Sequence, residues 1–203
     1  MVVKSLSTLC KWKNLRKLTI EGAPIHDGRF LVDIAKSCRL KSLNLRYLGA
    51  RAKCNYIEDL CTALRHLQGL QDFRLEQNYI GSTVRLLTSL KQCKSLRRFL
   101  LWSNSNDQAL DQQSCLSLME ACLELQMLYI TIGATTKIMC ETIRKNIESK
   151  YKRSRPGLHV VIRRGTTTDI EDEILPTIYP SVHYRNMVVF APQICQQNDF
   201  NVL

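Results

Sequence analysis

The chain repeats itself, and this limits its fold more than any single motif does. Segments starting at Leu15 (LRKLTIEGAPI), Leu40 (LKSLNLRYLGA), Leu70 (LQDFRLEQNYI), Leu96 (LRRFLLWSNSN) and Leu125 (LQMLYITIGAT) share an apolar-x-x-apolar-x-apolar frame, with starts 25, 30, 26 and 29 residues apart. A sixth, weaker copy is RPGLHVVI, where Leu158 and Val160 take the inner apolar positions. Self-similarity at such a period marks a stacked architecture. One unit cannot bury its apolar stripe alone, whereas neighbours together form a continuous core.

Each frame alternates like a strand, and helical spacing follows it. Phe30, Leu31, Ile34 and Cys38 share one helical face. So do Ile57, Leu60, Cys61 and Leu64, then Cys115, Leu118, Met119 and Cys122, then Met139, Ile143 and Ile147. Each repeat therefore reads as strand, turn, helix and return. The expected fold is α/β, a right-handed solenoid of five to six repeats with a parallel sheet on the concave face and helices on the convex face.

The frame is the leucine-rich-repeat pattern LxxLxLxxN/CxL. Asn78 and Asn104 take the ninth position in the third and fourth copies, and Ala23, Leu48 and Gly133 take it elsewhere. Cysteine precedes the first leucine in SCRLKSL, QCKSLRRF and ACLELQML, and PIHDG follows the first strand. Over residues ~6–165 these features resemble the cysteine-containing repeats of F-box/leucine-rich-repeat proteins. Ribonuclease-inhibitor-like and Ran-GTPase-activator-like proteins share the architecture. The resemblance implies a non-catalytic protein-interaction module, the substrate-recognition part of an SCF-type ubiquitin ligase receptor, with a protein substrate on the concave face. No F-box is visible here, so a Skp1-type adaptor is an implied partner only if an F-box lies upstream.

Leu6, Leu9 and Cys10 read as the end of a helix whose strand is missing. The solenoid, residues 1–165, is therefore expected to start mid-repeat, as a fragment, an alternative product or a truncated gene model would. After Gly165 the periodicity stops. Residues 166–192 read as a C-terminal cap, in which Asp169 caps a short helix ending before Pro176, or as a degenerate seventh repeat. Residues 193–203 read as a mobile tail.

Net charge is +11 and unevenly spread. Residues 144–164 hold eight basic groups, among them Arg144, Lys145, Lys150, Lys152, Arg153 and Arg155, against Glu148 alone. This suits an acidic partner, and it supports an alternative reading, a nucleic-acid-associated or other scaffolding protein acting through the basic 137–164 surface. A solvated helix face followed by a basic loop gives the same composition. The nine cysteines are odd in number, form no CxxC pair and sit mostly in apolar stretches. They read as buried free thiols of a cytoplasmic or nuclear protein. The four histidines are scattered, so neither a metal site nor a cofactor is expected. No apolar run approaches the ~20 residues that span a bilayer, and no membrane partner is expected.

Catalytic signatures are missing: there is no GxxxxGK[ST], HExxH or GxSxG. A cysteine–histidine pair is the nucleophile arrangement left open. Cys38, Cys93 and Cys122, however, occupy repeat positions that point into the core, where thiols are inert. The chain is not expected to be an enzyme.

Alternation assigns the outward columns of the sheet. The first three repeats present Lys17, Thr19 and Glu21, then Ser42, Asn44 and Arg46, then Asp72, Arg74 and Glu76. The next two present Arg98, Leu100 and Trp102, then Met127, Tyr129 and Thr131, and the sixth presents Gly157, His159 and Val161. Leu100, Trp102, Met127 and Tyr129 thus form one apolar, aromatic patch bordered by Arg74 and Arg98. Three readings fit. The patch binds a partner, as Trp, Tyr and Arg do at interface hot spots. Or the C-terminal segment, with Ile178, Tyr179 and Phe190, covers it. Or the register is slipped.

Overall fold

The computed structural model describes residues 6–21, 28–46, 48, 56–76, 82–103, 109–165 and 187–190. A 3-10 helix, Ser7–Lys11, leads into β1 (Lys17–Glu21), α1 (Arg29–Ser37), β2 (Ser42–Arg46) and α2 (Tyr56–His66). Then come β3 (Asp72–Glu76), α3 (Thr83–Leu90), β4 (Arg98–Ser103) and α4 (Gln112–Ala121). The chain continues through β5 (Met127–Ile132), α5 (Lys137–Tyr151), β6 (His159–Arg163) and β7 (Met187–Phe190). Strand and helix alternate as the repeats predict, and helices line the convex side of a parallel sheet.

The register follows the apolar frame without a slip. Leu18, Leu43, Phe73, Phe99, Leu128 and Val160 form one rung across six parallel strands. Ile20, Leu45, Leu75, Leu101, Ile130 and Ile162 form the next. No member of either rung is more than 7% exposed. Burying each such side chain contributes about 1.5–3 kcal/mol. Phe73 and Phe99 stack with ring centroids 5.7 Å apart. A one-residue slip would turn every rung to the opposite face, so the pattern determines the pairing.

Local chemistry starts the helices. Ser82 Oγ accepts from Arg85 N at 3.3 Å, Asp111 Oδ2 from Ser114 N at 2.7 Å, and Thr136 Oγ1 from Met139 N at 3.2 Å. Each satisfies an orphan first-turn amide. Before α1 stands Gly28, whose N–H donates to Asp59 Oδ2 at 2.8 Å. A Cβ there would lie 2.7 Å from Asp59 Cβ, so only glycine fits this close approach to α2.

Leu6 and Leu9 are buried, and the 3-10 helix packs against α1. Met139 departs from expectation: it is 46% exposed, and Cys140 takes its place beside Ile143, Ile147 and Tyr151 in the core. At the other end of the chain, β7 pairs in parallel with β1, giving strand order β6-β5-β4-β3-β2-β1-β7. The expected cap (166–192), apart from Met187–Phe190, and the tail (193–203) lie outside the described residues, as do Asn78 and Asn104.

Candidate recognition surface

The outward face of the sheet is graded along its strands. Residues that begin strands, namely Lys17, Ser42, Asp72, Arg98 and Met127, are half-buried, and His159 is exposed. Farther along, β3 to β5 close off. Glu76, Trp102 and Thr131 stand side by side in register and are 1%, 0% and 0% exposed. Leu100 and Tyr129, also neighbours, are 1% and 0% exposed.

This corrects the expectation of an open apolar patch. Leu100, Trp102 and Tyr129 are placed together as the repeat predicts, but they are buried within this single chain, and of the four apolar members only Met127 keeps partial exposure. Register error is not the cause, because Arg98 pairs with Met127 and Leu100 with Tyr129 as the columns require. Ile178 and Tyr179 lie outside the described residues.

The bordering cations are engaged in ion pairs. Arg98 Nε donates to Asp72 Oδ1, and Arg74 Nε is ion-paired with Glu76 Oε1. Arg46 reaches Glu76 Oε2 at 3.0 Å through Nε and Glu21 Oε1 at 3.2 Å through Nη1. Glu76, almost wholly desolvated, is thus held between two guanidinium groups, as a buried carboxylate requires. The sixth strand adds Arg163, whose guanidinium lies 5.5 Å from the centre of the Tyr129 ring. Trp102 Nε1, Tyr129 OH and Thr131 Oγ1 are buried without a hydrogen-bond partner among the described residues.

The basic stretch does not form one free patch. Arg144 pairs with Glu148 at 2.8 Å, and Lys150 Nζ bonds Glu120 Oε1 at 2.7 Å. Arg155 donates to the carbonyls of Met119, at 2.9 Å, and Cys122, at 3.3 Å, and lies over the Tyr151 ring. Lys145, Lys152 and Arg153 remain exposed.

Arg155 reveals a role that sequence reading missed. Cys38 Sγ donates to Trp12 O at 3.3 Å, Cys93 Sγ to Leu64 O at 3.4 Å, and Cys122 Sγ to Cys93 O at 3.5 Å and Leu90 O at 3.6 Å. Each acceptor lies at or near the end of the preceding repeat's helix, where carbonyls lack intrahelical partners. The recurring cysteine therefore caps the previous helix, and Arg155 does so in the sixth repeat. Burial pushes the thiols of Cys93 and Cys115 up to about 12 and that of Cys122 to about 11, so all three stay protonated at neutral pH. No group of three or more His, Cys, Asp or Glu able to hold a metal occurs among the described residues. No described helix is long and apolar enough to cross a membrane.

Comparison with known families agrees with this repeat chemistry. The family model described as F-box/LRR-repeat protein 18, LRR, matches residues 3–158. The chain belongs to this family. It is 31% identical over 189 residues to the F-box/LRR-repeat protein 18 of Homo sapiens. That alignment takes in 90% of this chain and 25% of the human protein, so the chain spans about a quarter of that relative's length. No solved structure matches. The part of the family that this chain shares is the repeat region, and a solenoid of this class presents side chains for protein interaction.

Proposed function

We propose that the chain is the substrate-recognition part of an SCF-type F-box receptor and that it supplies positioning without chemistry. The match of residues 3–158 to the repeat region of an F-box/LRR-repeat family carries this reading. The contact row is the accessible start of the strands, centred on Arg98 and Met127 with Arg74 and His159 nearby. Leu100, Trp102 and Tyr129, farther along the same face, are buried.

A chimera with a Skp1-binding F-box ahead of this chain tests the reading. With the proteasome inhibited, it should enrich a discrete set of ubiquitylated proteins. The same chimera carrying Arg98→Glu and Met127→Glu should lose that set. Identical ubiquitylated proteins from both chimeras, or none from either, would contradict the proposal. An acidic partner or nucleic acid on the 137–164 surface remains the second reading. It is weakened because Arg144, Lys150 and Arg155 are engaged within the fold.

A further inference from the structure

All six repeat strands run parallel, so the connections from helix to strand gather at one end of the solenoid. These are residues 12–16, 38–41, 67–71, 91–97, 122–126 and 152–158, and they carry ten Lys or Arg against the single acid Glu124. Glu124 is itself paired with Arg97 at 3.0 Å. The connections from strand to helix, residues 22–28, 47–55, 77–82, 104–111 and 133–136, carry two Lys or Arg and three Asp. One end of the fold is therefore strongly cationic.

Lys13, Arg39, Lys41, Lys94, Lys152 and Arg153 are exposed there, and no described hydrogen bond or ion pair uses their side chains. Between the first two repeats, Lys13, Lys36, Arg39, Lys41 and His66 line a groove of about 770 Å³, within the size range of small-ligand sites. Cations at helix C-termini complement the helix dipole, which accounts for Lys36 but not for those in the connections. Two large apolar side chains stand on the same edge: Trp12 is 55% exposed and Leu123 is 71% exposed. Nothing in the repeat requires either to face water.

We infer that this edge docks on an anionic phospholipid surface, with the lysines and arginines against the headgroups and Trp12 and Leu123 entering the interface. Indole rings settle at the headgroup level, and basic residues beside apolar ones mark interfacial binding. Clustered cations add attraction to acidic lipids. Nucleic acid suits the charge but not Leu123, which offers no ring for a base to stack on. The edge adjoins the strand starts of the concave-face reading, but the variants that test it leave Arg98 and Met127 in place.

The full chain is mixed with phosphatidylcholine vesicles with and without phosphatidylserine and recovered by flotation. Binding should require phosphatidylserine and weaken as salt rises. Trp12 emission should shift to the blue on binding, while buried Trp102 contributes no change. Arg39→Glu with Lys41→Glu should weaken binding about fivefold or more for each cation removed. Leu123→Ser should weaken it at unchanged thermal unfolding, and Ile138→Ser, an exposed apolar change at the start of α5, should leave it unaltered. No phosphatidylserine-dependent binding, no effect of charge reversal, or binding to an RNA homopolymer but not to vesicles would overturn the inference.

Discussion

Arg155 Nη1 donates to the Cys122 carbonyl at 3.3 Å, closing for the sixth repeat the station that Cys122 closes for the fifth. A guanidinium can hold two carbonyls at once, and Arg155 Nη2 also reaches Met119 O. Arg155→Ala should therefore cost about 1–3 kcal/mol in urea unfolding. Lysine should restore little, because it lacks the planar fork. Exposed neighbours differ: Lys152→Ala and Arg153→Ala should stay within about 0.5 kcal/mol.

The buried thiols set an alkaline limit on stability. Burial raises Cys93 and Cys115 from 9.0 to about 12, so the unfolded chain loses these protons first as pH rises. Their contribution is fully present below pH 9.0 and is lost as pH climbs towards about 12. Unfolding free energy should decline over that window, and less steeply in Cys93→Ala. With Cys54 and Cys195 changed to serine, half-buried Cys10 should react with a thiol reagent before Cys93, Cys115 or Cys122.

At the acid end, the hydrogen bond from the Ser114 side chain, with help from backbone amides, holds Asp111 below its ordinary 3.8. A lowered carboxyl stabilises the fold above that value and ceases to do so as pH falls through the folded-state pKa. Asp111→Asn should keep the α4 cap and flatten this acid limb. Asp111→Ala should cost about 1 kcal/mol at neutral pH.

Glu76 should matter far more than other paired acids. It is 1% exposed between Arg46 and Arg74, and its loss removes the buried carboxylate that both guanidinium groups share. Glu76→Gln should cost about 3 kcal/mol. Glu58 pairs with Arg85 at the surface, both more than half exposed, and Glu58→Gln should cost less than about 1 kcal/mol. Denaturant unfolding of the two variants reads the difference directly.

The repeat frame made the strands, their order and their register legible, because each apolar rung survives only if every neighbour keeps step. Leu18 through Val160 illustrates this. The frame also placed Trp102 and Tyr129 on the outward face beside Glu76 and Met127. It could not say whether that face is open, since alternation gives a side chain's direction and not what lies above it. The cysteines were legible as core residues. Their role as helix-capping donors was not, because their acceptors lie roughly one repeat earlier in the chain. Met139 was misplaced by one position because Cys140, one residue along, meets the same helical spacing and lies closer to the core.

Trp102 and Tyr129 are sealed within the chain, and the proposed recognition row is the strand starts around Arg98 and Met127. Acrylamide quenching of the Trp12→Phe chain, in which Trp102 is the sole tryptophan, tests that burial most directly. The account predicts blue-shifted emission and strong protection that persist until the whole fold melts. Red-shifted, freely quenched emission from the native chain would contradict it.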